Sequence, residues 1–485
     1  MKRAAFVTIG LATLVACTAS SSSQTTEASA TIRIGQLNIE YGGEVIDFDA
    51  TVAAAEALGA DVIGVEEAWG NIPDLAEGLG WPYYDASRQI VSRLPLLQAP
   101  GNPSEYIYVE VSTGAVVAIG NVHLPSAPYG PNMTRRGDPA ADVLATENEV
   151  RVPAIEPFAT ALAEVAAGGT PSFLVGDFNS PSHLDWNDAT VGSRPHVTYP
   201  LAWPVTETLE RAGYQDSYRQ LHPDPVADPG LTWPAARPAS KDSWNPGPAA
   251  PADRIDYIMA IGPVTATDSR VVGEDDVSPW PSDHRGLVSA FTVTPATPPA
   301  LVAPDQRLYA AGAQIPVHFH ASADSGQVTA ALAGGDGAVA TVDTSGTADG
   351  TITLDATGWA PGRYDLTLTG GDGAELASAP LWIQDPEQGP LLTVAEVIDE
   401  GDPIDVSWMN APGNRWDWIG IYRRGADPNV AWYLLWAYTD ATIEGAVTLD
   451  ENAEGKFPLP PGEYTAMLLV DDAYEAVATA DFTIR

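Results

Sequence analysis

"SFLVGDFNSPSHLDW", residues 172–186, opens with Phe173, Leu174 and Val175, which read as a short buried strand. Gly176, Asp177, Phe178 and Asn179 follow at once, and then Ser-Pro-Ser. A carboxylate and a carboxamide thus stand two residues apart where the backbone pairing stops. Alternation puts residues two apart on one side of a strand, with Phe178 turned to the other. Strand ends that release polar side chains into a cleft are where layered α/β folds keep binding and catalytic groups. Alone, the same tetrapeptide also reads as an Asx turn.

Other strands repeat the pattern. "TIRIGQLNIEYGG" (31–43) carries Asn38, and "DVIGVEEAW" (61–69) ends in Glu66 and Glu67. "GAVVAIGNVHL" (114–124) ends in His123, "RIDYIMAIG" (254–262) carries Asp256, and "PWPSDHRG" (279–286) carries Asp283 and His284 before the apolar "LVSAFTV". Each has a bland reading as a turn, a cap or an ion pair, but together they predict one site. Helical periodicity over 48–60 and 150–169, interleaved with these strands, argues for a layered α/β domain.

In this order, "LNI", "DVIGVEE", "VSRLPL", "NVHL", "GDFN", "RIDYI" and "SDHR" resemble the endonuclease/exonuclease/phosphatase superfamily, the DNase I-like fold. The resemblance spans roughly Thr31 to Thr294. It implies a four-layer α/β sandwich that hydrolyses phosphate esters with a divalent metal. It also implies roles. Glu67, Asn38 and Asp283 would serve the metal, Mg²⁺ first and Mn²⁺ or Ca²⁺ otherwise. Asp177 would orient or deprotonate water, and Asn179 would hold a phosphoryl oxygen. His284, backed by Asp256, would stabilise the transition state, and His123 would donate to a non-bridging or leaving oxygen. The usual Gln-Glu pair is Glu66-Glu67 here, which leaves Glu66 without a role. Arg93 of "VSRLPL" is expected to be a buried structural cation, and His183 and Asp185 local structure. Arg135-Arg136 is a basic pair expected near the cleft mouth, where it either reads an anionic substrate or is a surface pair.

The chemistry is coherent without the resemblance. Hydrolysis of a phosphate ester needs charge neutralisation, an aligned water and support for the leaving oxygen. Carboxylate and carboxamide oxygens are hard donors suited to Mg²⁺. The chain has one cysteine, so no Cys/His zinc constellation forms.

At 485 residues the chain exceeds one ordinary domain. Its 44 glycines and 42 prolines favour turns and short strands. Residues 1–30 read as a lipoprotein signal and tether: Lys2-Arg3, an apolar run, then Leu14-Val15-Ala16-Cys17 and a Ser/Thr-rich stretch. Cys17 is the lipidation candidate, which predicts an extracytoplasmic protein, lipid-anchored to a bacterial membrane or secreted. The catalytic domain is placed at 31–294, a Pro-rich linker at 295–304, and Ig-like β-sandwiches at 305–386 and 387–485. The two sandwiches share a weak repeat, Pro361-Gly362-Arg363-Tyr364 and Pro461-Gly462-Glu463-Tyr464. The second resembles SKICH-type modules through "DWIGIY". Its Trp416, Trp418, Trp432 and Trp436 form either a binding surface or a core.

A net charge of −41 repels polyanions, so nucleic acid is expected only as a substrate. The partners expected are therefore a phosphate ester and, through Cys17, a membrane, for a monomer. The leading function is a general phosphodiesterase or phosphatase. Alternatives are an extracellular nuclease, a sphingomyelinase-type phospholipase, and an inactive lipid-anchored binding protein.

Overall fold

The computed structural model describes residues 29–241, 245, 247, 250–321, 325–335, 337–384 and 387–485. Cys17 and the signal segment lie outside the described residues.

Two six-stranded mixed sheets build the first part of the chain. In one, Ala30–Asn38 runs parallel to Val62–Glu66 and antiparallel to Gly286–Val293. In the other, Ala115–His123 runs parallel to Ser172–Asp177, which pairs antiparallel with Asp256–Ile261. Period-two alternation sorts the side chains. Ile32, Ile34, Val62, Val117, Ile119, Phe173, Val175 and Ile258 meet between the sheets. Leu37, Ile63 and Val65 turn outward onto the helices Phe48–Leu58 and Ile72–Leu79. Ala118, Val122, Leu174 and Tyr257 turn outward onto Ala140–Ala167 and Pro204–Ala212. Three apolar interfaces thus make four layers, the α/β sandwich that the motifs imply. Each fully buried Leu, Ile or Phe contributes roughly 1.5–3 kcal/mol before entropy is counted.

The sheets approach closely at Gly64, where a Cβ would stand 2.4 Å from Val175 Cγ2. The helix expected at 150–169 starts earlier, at Ala140, and carries Pro153 and Pro157 within it.

Two β-sandwiches follow. One pairs a three-stranded with a five-stranded sheet, the other a three-stranded with a six-stranded sheet. The stretch expected as a linker ends in a strand, Leu301–Pro304, that pairs with Gln314–His320. Its Leu301 and Ala303 are buried in the apolar cluster beneath the helix Ala140–Ala167.

Candidate active site

The layer between the sheets changes character along its length. Continuing the inward alternation, Ile32 and Ile34 give way to Gln36 and Asn38. Val62 and Gly64 lead to Glu66, Val117 and Ile119 to Asn121 and His123, and Phe173 and Val175 to Asp177. Ile258 precedes no polar end, but its antiparallel strand begins at Asp256, opposite Asp177 in register. The site is the polar end of the inter-sheet layer.

At its centre, His284 Nδ1 lies 3.0 and 3.2 Å from the two carboxylate oxygens of Asp256. Its Nε2 lies 3.6 Å from Asp177 Oδ2. His123 Nε2 faces the same Asp177 oxygen, also at 3.6 Å. Burial works against a charged ring on either histidine. Asp256, Asp177 and Asp283 outweigh it at His284 and hold that ring well above the ordinary range. Asp472, Asp177 and Glu67 do the same for His123, which is held at about 10. Burial pushes Asp177 up to about 6, against the pull of both imidazoles.

Asn38 ties the groups together: its Nδ2 donates to Glu67 Oε1 and to Asp177 Oδ2, each at 3.2 Å. Asn179 supports Asp177 from the other side. Its backbone N–H donates to Asp177 Oδ1 at 2.8 Å, an Asx turn, and its amide donates to Leu124 O and Asp177 Oδ2. The two readings of Gly-Asp-Phe-Asn are therefore one arrangement. The amide expected to hold a phosphoryl oxygen is here engaged in fixing the carboxylate. Phe178 is fully buried against Tyr257. Asp283 accepts from Trp233 Nε1 at 3.0 Å and lies 4.0 Å from His284 Nε2.

Backbone strain gathers at this end. Glu40, Tyr41, Glu67, Trp69 and Asn179 all hold positive φ, between 47° and 56°. Non-glycine residues tolerate that region only where surrounding contacts over-determine them. Gly176 is needed for a different reason: a Cβ there would stand 1.9 Å from Val122 O.

The departure at Glu66 has a local answer. Gln36 Nε2 donates to Glu66 Oε2 at 2.6 Å and to Asp256 Oδ1 at 2.7 Å. Glu66 is fully buried, and burial followed by the Asp256 and Asp177 charges raises it well above the ordinary range. The carboxamide sits on the neighbouring strand, where Gln36 donates to Glu66. Gln36 was legible: it lies two residues before Asn38, on the same face.

Several expectations change. Arg135 and Arg136 occupy the last turn of the helix Gly130–Arg136, exposed, with Arg136 paired to Asp138 at 2.8 Å. Tyr129, which caps that helix, is the residue that contacts the site, through Trp233 at 5.6 Å. Arg93 is exposed and lies over the Trp81 ring at 4.8 Å; the buried cation of this region is Arg88, paired with Asp85. His183 is local structure, bonded to Thr206 and Glu210. So is Asp185, which anchors Arg219 and Arg254. Trp416 and Trp418 are buried, Trp436 is half-buried and Trp432 is 83% exposed, so neither reading of the tryptophans holds for all four.

The donor set fits a divalent cation. Glu67 is half-buried, and its Oε2 accepts from Tyr41 N at 3.0 Å. Burial and then the carboxylates of Glu67, Asp283 and Glu40 push the Tyr41 hydroxyl up to about 12. Asp177, Asp256 and His284 also place one donor atom each within 4.8 Å of one another. Hard oxygens in a negative field suit a divalent ion.

One group comes from outside the first domain. His123 Nδ1 lies 3.4 Å from Asp472 Oδ2, in the last sandwich. That is an ion-pair distance rather than a short hydrogen bond. Trp69, beside Glu67, meets Tyr474 edge to face at 6.4 Å and Tyr41 at 4.8 Å.

Among known proteins, an uncharacterized protein of Caenorhabditis elegans, F14F9.5, is 27% identical over 290 residues, 54% of this chain and 91% of its own. An endonuclease/exonuclease/phosphatase from Beutenbergia cavernae is 18% identical, over 73% of this chain and 100% of that one, with a TM-score of 0.34. One from Bacteroides vulgatus is 14% identical, over 54% and 99%, with a TM-score of 0.30. Scores so low carry no weight in the assignment. The family model does: the endonuclease/exonuclease/phosphatase family matches residues 35–284, from the first strand to His284. With more than half of the sequence matched and the site at its centre, the chain belongs to the endonuclease/exonuclease/phosphatase family.

Proposed function

We propose that the chain is an extracytoplasmic, divalent-metal-dependent phosphoesterase that cleaves phosphate diesters or monoesters by in-line attack of water. The observation that carries this is the triangle of Asp177, His284 and His123, with both imidazoles 3.6 Å from one carboxylate oxygen. Asp177 takes the proton of the attacking water as its oxygen bonds to phosphorus. His284, oriented by Asp256, donates to a non-bridging oxygen and stabilises the charge that grows there. The ester P–O bond breaks, and His123 gives a proton to the leaving oxygen. A cation held by Glu67, with Asn38 and Asp283 beside it, would supply Lewis-acid neutralisation of the phosphate; Mg²⁺ is the first choice. The N-terminal sequence supports export, with Cys17 as an anchor.

The test is turnover of a phosphodiester, a phosphomonoester, sphingomyelin and plasmid DNA, each with Mg²⁺, Mn²⁺, Ca²⁺ or EDTA. Metal-dependent hydrolysis that falls by at least about 10³-fold in Asp177→Ala supports the reading. Turnover that persists in EDTA, or in His284→Ala, overturns it.

A further inference from the structure

The last sandwich reaches the site through one hairpin, Gly462–Leu469 and Ala476–Ile484. At its tip, Val470–Ala473 forms a tight turn in which Ala473 N–H donates to Val470 O, with Asp471 at φ 53° and Asp472 at φ 65°. Two successive left-handed residues make a type I′ turn, which Asp tolerates better than most side chains. Asp472 is held on three sides. Its N–H donates to Trp416 O at 2.9 Å, Tyr438 OH donates to its Oδ1 at 3.1 Å, and its Oδ2 faces His123 Nδ1. Asp471 locks the tip to the first domain, accepting from Gly70 N at 2.7 Å and Gln89 Nε2 at 2.6 Å. Around it, Ser87 donates to Gly413 O, Arg415 N–H donates to Ser87 O, and Trp416 is buried in the first domain's apolar cluster.

We propose that the last sandwich completes the active site: Asp472 is the positioning residue that fixes the ring of His123 with Nε2 directed at the leaving oxygen. The proposal rests on the hydrolase reading for its kinetic consequence, but not for its geometry. A carboxylate at Nδ1 fixes the rotation of the ring and favours its charged form, so that the Nε2 proton is aimed toward substrate. Tyr438 and the Trp416 carbonyl hold that carboxylate in turn, so the alignment depends on the sandwich being docked.

The test uses the full chain with Asp472→Asn. Two diesters of one phosphate are compared, one with an alkyl and one with a p-nitrophenyl leaving group. A donor to the leaving oxygen matters for the alkoxide and little for nitrophenolate. The expected result is a tenfold or greater fall in kcat on the alkyl ester, KM within about threefold, and near-normal turnover of the nitrophenyl ester. An equal loss on both esters, or no loss, overturns the proposal. The imidazole ¹⁵N and ¹H resonances of His123 read the same geometry without turnover. A changed Nδ1–H resonance in Asp472→Asn supports the positioning role even if no ester is cleaved, and an unchanged one ends it.

A second observation, elsewhere, stands independently. His318 and His320 lie two apart on the strand Gln314–His320 of the first sandwich, and Asp349 pairs with His320 in register. Glu110 approaches them from the strand Ile107–Ser112 of the first domain. One donor atom each from Glu110, His318 and Asp349 lies within 4.8 Å of the others. Asp349 Oδ2 sits 2.9 Å from His320 Nδ1 and 3.6 Å from His318 Nε2. His318 Nε2, which faces Asp349, is buried without a hydrogen-bond partner. Buried imidazole nitrogens are rarely left so.

We infer that Glu110, His318 and Asp349 bind a divalent transition-metal ion, of which Zn²⁺ is the best match to imidazole plus carboxylate, with His320 orienting Asp349. The ion would fasten the first sandwich to the first domain. The test is Zn²⁺ retained by the full chain after gel filtration, measured in a Glu67→Gln background so that the catalytic cation contributes less. One equivalent that is lost in His318→Gln, and bound at least tenfold more weakly in Glu110→Gln, supports the site. Equal zinc in His318→Gln and its parent would leave only a histidine–carboxylate ion pair and overturn it.

Discussion

The two sandwiches end in hairpins built alike that make different contacts. Their last hairpins match strand for strand: Gly362 opposes Ile383 and Gly462 opposes Ile484, and each register slips just before the turn. Tyr364 donates to Ala360 O, and Tyr464 donates to Pro460 O. Each sandwich also adds a parallel edge strand to the hairpin. Only the tips diverge. In the first sandwich the tip is Gly371-Asp372-Gly373-Ala374, and the Asp372 carboxylate accepts from Ala374 N of its own turn. In the second it is Asp471-Asp472-Ala473-Tyr474, and both carboxylates reach across to the first domain. The hairpin scaffold is shared, and the contacts made by the loop on it are not.

The sharpest way to break this comparison is to make the tips alike. Replacing Asp471–Tyr474 by Gly-Asp-Gly-Ala removes the lock, the tyrosine and the turn geometry together. The expected outcome is a loss of about 10²-fold or more in kcat on an alkyl ester, checked by steady-state kinetics beside a melting curve. The graft keeps Asp472, so full activity would mean that neither the Asp471 lock nor the turn geometry is needed to present it.

A smaller effect concerns the lock alone. Burial pushes Asp471 up to about 7, and Asp417, whose carboxylate accepts from Asp471 N, up to about 6. The folded chain then binds protons at Asp471 that the unfolded chain has released above its ordinary range near pH 4. Stability from this group is fully present below pH 4 and is lost as pH rises to about 7, where the curve levels. Denaturant titrations should show Asp471→Asn losing on the order of a few kcal/mol less than the parent between pH 4 and 7. Parallel curves for the two proteins would show that this carboxyl does not titrate there. The smallest effect is expected at Asp372→Asn, the counterpart of Asp472: activity unchanged, and stability within about 0.5 kcal/mol by the same titration. A kinetic defect there would erase the distinction between the tips.

What the sequence made legible follows the reach of each signal. Period-two alternation is local, so the strands ending in Asn38, Glu66, His123 and Asp177 could be read directly, and Gln36 with one further step. The pairing of Asp256 with His284 needs two strands in one register, and it came through the family resemblance rather than through spacing. Arg135 and Arg136 stand at the other end of their helix from Tyr129, and charge on a helix says nothing about which end of it meets the cleft. Asp472 carries no local mark at all. "DDA" between strands is an ordinary turn, and Asp471 reaches Gly70 across 401 positions. Only the docked fold shows that this turn, and not its twin, meets a histidine.

The order of the chain gives the tip a further consequence. During synthesis the first domain emerges complete, with its strained loops, its carboxylates and both histidines, well before Asp472 leaves the ribosome. The hairpin that presents Asp472 closes only when Ala476–Ile484 pairs with Gly462–Leu469. His123 therefore stands without this carboxylate until the last sandwich has folded, and the site is completed from the far end of the chain.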